Sequence, residues 1–316
     1  MGRNERVELK KLSSFKIGGP ADNFLSVKNA EEAVEGIKEW RRRIFPLGRK
    51  DVFVLGGGTN ILWGDRGFKG LVIKPEINIL EPADDGIRVG AGVPVSEVLN
   101  LAAENNLSGL EWAGGLPGTV GGAVFGNAGA FRGEIKDSLL EVLSLDLKTY
   151  SIIKRGAAEC GFSYRNSIFR RNRGKEIILE AVFKLVPGDR GEILDKMSEH
   201  IRYRKERQPL EHPNIGSIFK NVPVERMPNG VIEEYGLNIK TDPFPVIPTA
   251  RLISEAGLRG LSLGGAMVSP KHPNFIVNVL SASSDDVAGL IEVVKEAVYG
   301  KFGVLLEEEI LNLARR

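Results

Sequence analysis

The chain has 316 residues, 42% hydrophobic and 27% charged, which is ordinary for a globular protein of two or three domains. Its 43 Lys and Arg residues nearly balance its 41 Asp and Glu residues, so its charge gives no reason to propose a nucleic-acid or membrane partner. The single cysteine, Cys160, excludes an internal disulfide and a cysteine zinc site, and the three histidines are scattered, so we expect no metal. The sequence shows neither a signal peptide nor a run of ~18 apolar residues, which predicts a cytoplasmic protein.

Helix and strand signals alternate along the chain. Asn29 and Glu32 form a capping-box-like start of a first helix. Ser96 is predicted to cap a second helix, and Pro209 to end a third. Apolar periodicity predicts two later helices, at 250–256 and from Ser284 to Gly300 or Gly303. Strands are predicted at 51–55, 71–73, 87–89, 139–146, 150–154, 177–185, 274–279 and 304–311.

Two glycine-rich segments indicate a ligand that carries phosphate. The first, LGGGTNIL at 55–62, follows a predicted strand, and the second, 109–133, has nine glycines in 25 positions. Glycines let backbone N–H groups approach a phosphate, although tight turns are the alternative explanation. Two such segments favour a dinucleotide cofactor over a single phosphate. The chain contains no Walker-type phosphate loop, and the first segment does not complete the G-x-G-x-x-G fingerprint.

Three further segments carry side chains capable of chemistry. Arg165, in FSYRNSIF, is either a surface residue with a packed stem or a fixed cation that stabilises an oxyanion. Ser217, in NIGSIFKN, follows a glycine and is a candidate for chemistry. The alternative interpretation is a turn serine whose hydroxyl forms a hydrogen bond with its own backbone. The run Glu307, Glu308 and Glu309 lies on the last predicted strand, where alternation puts the first and third on one face. Solvated edge charges are the alternative there.

In their order, these motifs resemble the UDP-N-acetylenolpyruvoylglucosamine reductases, flavoenzymes of peptidoglycan precursor synthesis. The match runs from Ser14 to Glu309 and comprises SFKIGGPA, LGGGTNIL, GGLPGTVGGAVFGNAG, FSYRNS, RQP with GSIFKN, RLISEAGLRG and GGAMVS. The resemblance implies an α+β fold, with a two-part FAD-binding region of the vanillyl-alcohol-oxidase/PCMH type and a C-terminal α/β substrate-binding domain. We expect FAD-binding subdomains at 1–75 and 76–205 and the substrate-binding domain at 206–316.

The family also implies a reaction, in which non-covalently bound FAD carries a hydride from NADPH to C3 of a UDP-linked enolpyruvyl sugar. Carried over by motif, Ser217 protonates C2, while Arg165 and Glu309 stabilise the enol-like intermediate. The residues implied for FAD are Leu55, Gly56, Gly57, Gly58, Thr59, Asn60, Gly114, Gly115, Pro117, Gly118, Thr119, Gly121, Gly122 and Ala123. Those implied for the substrate are Tyr164, Arg207, Lys220 and Asn221.

The chain departs from the family pattern near its C-terminus and in the loop that contains Ser217. Glu308 stands where a proline commonly precedes the final glutamate, which leaves Glu307 as a competitor to Glu309. Ile215 replaces the usual alanine before Gly-Ser.

Two length differences bear on substrate binding. Only 42 positions separate Arg165 from Arg207, too few for the tyrosine-bearing substrate loop of one subtype, so we predict the subtype that lacks it. The segment 223–248 is longer than expected. We predict that 222–248 covers the substrate, with an aromatic on uracil, and a surface insertion without a role is the alternative.

Two other functions stay open at this point. One is a different FAD-dependent oxidoreductase of the same fold, acting on a hydroxy acid or an alcohol. It would need an oxidising base, and Ser217 in GSIFKN favours reduction instead. The other is a non-catalytic flavin-binding module.

Overall fold

Helices and strands alternate along the residues that the computed structural model describes, 6–44, 51–84 and 86–314. The α-helices are α1 (Ala30–Ile44), α2 (Val95–Glu104), α3 (Val120–Gly126), α4 (Ile135–Ser138), α5 (Ile168–Arg171), α6 (Arg190–Arg207), α7 (Val231–Glu234), α8 (Thr249–Glu255) and α9 (Ser284–Phe302). Within that part of the chain, no helix combines the length and the apolar character needed to cross a membrane.

The strands are short apart from four of eight or nine residues. In chain order they are β1 (Val7–Glu8), β2 (Pro20–Val27), β3 (Val52–Val54), β4 (Ile61–Trp63), β5 (Phe68–Pro75), β6 (Leu80–Ala83), β7 (Gly86–Gly90), β8 (Leu107–Ser108), β9 (Gly129–Ala130), β10 (Gly133–Glu134), β11 (Leu139–Asp146), β12 (Ile152–Gly156), β13 (Glu176–Lys184), β14 (Val186–Pro187), β15 (Val222–Pro223), β16 (Val246–Ile247), β17 (Ser262–Leu263), β18 (Ala266–Val268), β19 (Ile276–Asn278) and β20 (Leu311–Leu313).

The first sheet has the order β1-β2-β5-β3, and β2, β5 and β3 are parallel. Helix α1 starts as predicted, because the backbone N–H of Glu32 donates to Asn29 Oδ1 at 2.8 Å. Its buried residues Ile37 and Trp40 pack in one apolar cluster with Leu71 of β5. The amphipathic helix therefore covers a face of the parallel sheet.

The second sheet has the order β12-β11-β13-β7-β6 and is antiparallel. Its strands include those predicted at 87–89, 139–146 and 177–185. The prediction that Ser96 caps α2 is wrong. The helix starts after Pro94, which has no side-chain cap, and the N–H of Val95 already donates to Gly118 O at 3.1 Å.

A third apolar cluster surrounds α9 and contains the small sheet β17-β18-β19. Ser283 caps α9, since its hydroxyl accepts the N–H of Asp286 at 3.0 Å. The helix ends at Gly303, whose φ of +67° lies in the left-handed region that favours glycine. Of the two predicted ends, Gly303 is therefore the one that the structure shows.

The last strand is not where the pattern placed it. The prediction of 304–311 is wrong, because β20 is Leu311–Leu313, parallel to β4. Before it, Glu308 forms a single bridge with Phe219, and no continuous ladder forms. The apolar and acidic residues of 304–310 resemble a strand in composition, but they lack a neighbouring strand that matches their length.

The described residues divide into two compact units. The first comprises the described residues of 6–7, 21–57 and 68–203, and the second those of 8–20, 58–67 and 204–314. The expected division of the FAD-binding region at 75/76 stays a prediction. The segments 8–20 and 58–67 group with the C-terminal residues because Phe15, Ile17 and Leu62 belong to the cluster around α9.

Candidate active site

The two predicted cofactor loops meet within the first unit. A β-carbon on Gly57 would lie 2.7 Å from Cα of Gly118, and one on Gly56 would lie 2.9 Å from Thr119 Oγ1. Real β-carbons do not come this close to backbone atoms, so the close approach of the two backbones requires glycine at Gly57. Segments more than 50 residues apart in sequence thus form one glycine-lined surface.

This surface leaves polar groups for a ligand. Within the described residues, the N–H groups of Gly56, Gly57 and Gly118 donate to no acceptor. In the same part of the chain, the buried hydroxyl of Thr119 has no hydrogen-bond partner. Buried polar groups are normally satisfied, and neighbouring backbone N–H groups typically bind phosphate oxygens. The residues present therefore fit the pyrophosphate of a dinucleotide such as FAD.

Other predicted cofactor residues make contacts inside the first unit. Leu55 donates its N–H to Ile73 O at 2.8 Å, and Gly121 donates to Ala91 O at 3.0 Å. Gly114 lies against the backbone of α6, since a β-carbon there would be 2.7 Å from the carbonyl oxygen of Met197. Gly115, Pro117, Gly122 and Ala123 lie in the same loop or in the first turns of α3.

The rest of the first loop belongs to the second unit, which contains Gly58, Thr59 and Asn60. The carbonyl of Gly58 accepts the N–H of Ser14 at 3.1 Å. Asn60 Nδ2 donates to the carbonyl of Glu309 at 3.3 Å. This bond joins a predicted cofactor residue to the backbone of a predicted catalytic residue.

Arg165 lies in the first unit and is held firmly. Its backbone φ is +53°, which is unusual for a residue other than glycine. Its guanidinium donates to Gly129 O at 2.6 Å and lies 3.8 Å from Glu134 Oε1. It also lies 5.0 Å from the ring centre of Tyr164, a predicted substrate residue. With 19% of its side chain exposed, Arg165 is a fixed cation rather than a mobile surface residue.

Ser217 lies in the second unit, on a loop with a fixed backbone. Gly216 before it has φ +80° and donates its N–H to Asn214 Oδ1 at 3.0 Å. Ile218 after it donates to Asn274 O at 2.8 Å. Within the described ranges, no residue forms a hydrogen bond with the Ser217 hydroxyl. The turn-serine alternative therefore does not describe this residue, and the hydroxyl can serve a ligand.

The three glutamates of the acidic run have different surroundings. The N–H of Glu309 donates to Ile218 O at 2.8 Å, which fixes its backbone beside the serine loop. Glu308 pairs with Lys295 and accepts a hydrogen bond from Asn312.

Glu307 forms ion pairs with Lys220 at 3.2 Å and with Arg226. Burial raises the pKa of Glu307, but the hydrogen bonds and charges of these two cations outweigh burial and lower the pKa below 4.5. Glu307 is thus engaged in ion pairs with two cations.

The predicted substrate residues Arg207, Lys220 and Asn221 belong to the second unit, and Tyr164 to the first. Arg207 is exposed at the end of α6. Asn221 Oδ1 accepts the N–H of Thr249 at 3.2 Å, so it holds the start of α8. The structure therefore brings Lys220 beside Glu307 and gives Asn221 a structural bond that the sequence did not reveal.

The segment 222–248 is partly packed into the second unit. Its ends pair as β15 and β16, and its residues Met227 and Leu237 are buried in the cluster around α9. Tyr235 packs edge-on against Phe302, with ring centres 4.9 Å apart. The proposed cover over the substrate stays a prediction.

The second unit also has an open concavity of about 790 Å³. Lys10, Lys16 and His212 are among its lining residues. None of the predicted site residues lines it. The concavity is therefore not the candidate active site, which comprises the motif residues with side chains capable of chemistry.

Two family models match the chain. One, an FAD binding domain, matches residues 21–149, and the other, the C-terminal domain of UDP-N-acetylenolpyruvoylglucosamine reductase, matches 208–313. The reductase of that name from Clostridium tetani is 38% identical over 304 residues, 96% of this chain and 89% of its own length. The one from Carboxydothermus hydrogenoformans is 41% identical over 316 residues, 98% of this chain and 93% of its own length. The chain belongs to the UDP-N-acetylenolpyruvoylglucosamine reductase family.

A solved structure agrees with this assignment. The UDP-N-acetylenolpyruvylglucosamine reductase from Thermus caldophilus is 33% identical, with a TM-score of 0.77 over 99% of both chains. The family and the fold class predicted from the motifs are therefore confirmed.

The sequence reasoning missed the buried surroundings of Arg165. Asn127 lies in the second glycine-rich segment, which was interpreted only for its glycines, and Glu134 directly follows that segment. The available signal was the presence of polar residues in, and directly after, an apolar, glycine-rich segment. In the structure Glu134 has only 5% of its surface exposed and Asn127 none. A charged residue in an apolar, glycine-rich segment is rarely buried without a partner.

Proposed function

We propose that this enzyme reduces UDP-N-acetylglucosamine enolpyruvate to UDP-N-acetylmuramate, with NADPH as the reductant, in peptidoglycan precursor synthesis. The observation that carries the proposal is similarity to reductases of that name over nearly the whole chain. When bound, FAD supplies the hydride carrier between NADPH and the enolpyruvyl group. The glycine-lined surface of Gly57 and Gly118 would hold its pyrophosphate. The cytoplasmic location remains a prediction.

In this proposal, Ser217 donates the proton to C2 of the enolpyruvyl group. A serine hydroxyl is a weak acid, so its position relative to the reacting carbon must be well defined. The hydrogen bonds of Gly216 and Ile218 fix the backbone on both sides of Ser217. The hydroxyl itself is not committed to another described residue, which supports its use in proton transfer.

Arg165 and Glu309 act on the charge of the intermediate. Negative charge builds up on the substrate carboxylate as hydride adds to C3, and a prepositioned guanidinium lowers the free energy of that state. Arg165 suits this role because its side chain is largely buried and anchored to Gly129. Glu309 is preferred over Glu307 because it aligns with the final glutamate of the family motif, and its backbone N–H is fixed by Ile218 O beside the serine loop.

Lys220, Arg207 and Asn221 bind the anionic part of the substrate in this proposal. Lys220 is paired to a half-exposed carboxylate, and such a pair contributes little in water, so a diphosphate can replace it. Asn221 keeps its Nδ2 donor while its Oδ1 holds Thr249.

The proposal is tested with purified protein, first for its bound flavin and then for its reaction. An absorption spectrum should show an oxidised flavin, and acid precipitation should release all of it, because FAD is expected to be non-covalent. NADPH consumption should then require the enolpyruvyl UDP-sugar and yield UDP-N-acetylmuramate, identified by its mass. Flavin that stays in the pellet would contradict non-covalent binding. A rate of NADPH oxidation that does not depend on the enolpyruvyl UDP-sugar would contradict the proposed reaction.

A further inference from the structure

A buried carboxylate in the first unit has no role in the reaction as described so far. Glu134 ends the short hairpin strand β10, and 6% of its side chain is exposed. Burying a charged carboxylate is costly unless it is paired and hydrogen-bonded. Its contacts therefore indicate what keeps it there.

The two oxygens of Glu134 face different partners. Oε2 lies 2.7 Å from Lys136 Nζ and accepts Asn127 Nδ2 at 3.3 Å. Oε1 lies 3.8 Å from Arg165 NH1, and within the described chain it accepts no hydrogen bond. At that distance the contact with Arg165 is an ion pair rather than a hydrogen bond.

The hairpin of β9 and β10 holds the guanidinium on two sides. Gly129 of β9 is the register partner of Glu134, and its carbonyl accepts a hydrogen bond from Arg165 at 2.6 Å. Neighbouring positions on two paired strands thus supply a carbonyl and a carboxylate to one side chain. Both are fixed relative to each other by the strand pairing.

Asn127 joins the same hairpin to the loop that carries Arg165. It is fully buried, and its Nδ2 donates to Glu134 and, at 3.1 Å, to Ser163 O, two residues before Arg165. Asn127 and Arg165 both have positive φ, at 44° and 53°. Such conformations persist where the surroundings determine them, and they concentrate at functional sites.

We propose that Glu134 is a positioning residue that fixes the guanidinium of Arg165 for the reduction of the enolpyruvyl group. The inference rests on the role proposed above for Arg165. Glu134 does not touch the substrate in this account. Its negative charge and its place on β10 keep the cation where charge develops on the substrate.

The test uses Glu134→Gln in the FAD-loaded enzyme. Glutamine keeps the shape and an acceptor oxygen but removes the charge. We expect reoxidation of the reduced enzyme by the enolpyruvyl sugar to slow ~10- to 100-fold, because misplacement of a catalytic group by about 1 Å can cost that much. Reduction by NADPH should be unchanged. The matched control is Glu176→Gln, which removes a similarly buried carboxylate paired with Arg155, in the same unit, and should leave reoxidation unchanged.

A double variant and a binding measurement separate positioning from a general loss of stability. If Glu134 acts through Arg165, Glu134→Gln in the Arg165→Lys background should add little further loss. Calorimetry of the oxidised enzyme should show that Glu134→Gln reduces the preference for the enolpyruvyl sugar over UDP-N-acetylglucosamine, which lacks the carboxylate. Losses that multiply in the double variant, or an unchanged preference, would overturn the proposal.

The wild-type enzyme distinguishes this inference from the proposed function. A wild type that is not reoxidised by the enolpyruvyl sugar overturns the proposed function, and the inference with it. A wild type that is reoxidised, with Glu134→Gln at the same rate, overturns the inference alone.

Discussion

Two groups of charged side chains, one in each unit, are held in opposite ways. In the first, Arg165 and Glu134 have side chains that are 19% and 6% exposed and belong to a buried network. In the second, Glu307 is 50% exposed and Arg226 40%, and they pair at the surface. A buried pair is expensive to break and therefore rigid, whereas a surface pair is screened and exchanges easily.

This difference in exposure indicates which charged side chains can change partners during a reaction. A charge that stabilises an intermediate must stay in place, as the buried Arg165 does. A charge that admits an anionic substrate must release its present partner, as Lys220 can release Glu307. The Ser217 loop in the second unit combines both properties, with a fixed backbone and an uncommitted hydroxyl.

Ser217→Ala should have the largest effect, because it removes the proposed proton donor. We expect reoxidation by the enolpyruvyl sugar to fall by ~10²- to 10⁴-fold, the usual contribution of general acid catalysis. Reduction by NADPH does not need this proton and should keep its rate. Stopped-flow absorbance of the flavin follows the two half-reactions separately. Reoxidation at the wild-type rate would refute the assignment.

Arg165→Lys tests whether the buried cation of the first unit needs the geometry of a guanidinium or only its charge. Lysine keeps the charge but lacks the planar fork that suits both a carboxylate and the paired contacts of Gly129 and Glu134. We expect a loss of ~10²-fold in the same half-reaction, as for loss of one donor to a developing oxyanion. If the Arg165→Lys enzyme is reoxidised at the wild-type rate, position 165 needs only a positive charge and not the guanidinium geometry.

Glu309→Gln and Glu307→Gln compare the two glutamates of the second unit as candidates for the catalytic carboxylate. We expect Glu309→Gln to slow single-turnover reoxidation more, and Glu307→Gln to change mainly the substrate KM, because Glu307 contacts the proposed diphosphate ligand Lys220. The two substitutions are chemically identical and two residues apart, so each controls for the other. The larger loss of rate in Glu307→Gln would reverse the assignment.

The smallest expected effect concerns the stability that Glu307 contributes. Its pKa is lowered in the folded protein, so its ion pairs stabilise the fold above its ordinary pKa of 4.5 and lose this effect as the pH falls through the lowered value. Because the side chain is half-exposed, Glu307→Gln should lower the free energy of unfolding at pH 7 by less than about 1 kcal/mol. Urea unfolding at pH 7 and at acidic pH should show the difference only at the higher pH. A difference that persists in acid would exclude this ionic origin.

The sequence predicted correctly those helix ends that are determined by a few neighbouring residues. The cap at Asn29 marked the start of α1, and the serine and aspartates near Ser284 marked that of α9. The pattern failed at 304–311, because a strand also needs a partner, and sequence composition does not show whether one is present. Ser96 failed as a cap because the helix already begins at Val95, whose N–H donates to Gly118 O, so Ser96 lies inside the first turn.

The family motifs identified the candidate site residues but not what holds them. Asn60 and Glu309 are joined by a hydrogen bond across 249 positions, and no local pattern encodes such a contact. Glu134 directly follows a glycine-rich segment that was interpreted only for its glycines. Its significance depends on burial and on the register between β9 and β10, which only the folded chain reveals.

The most direct test of the central claim is a single turnover without oxygen. The purified wild-type protein, with FAD bound, is reduced by one equivalent of NADPH and then mixed with UDP-N-acetylglucosamine enolpyruvate. The account predicts that the flavin absorbance returns and that one equivalent of UDP-N-acetylmuramate forms. Flavin that is reduced by NADPH but stays reduced in the presence of this substrate would contradict it.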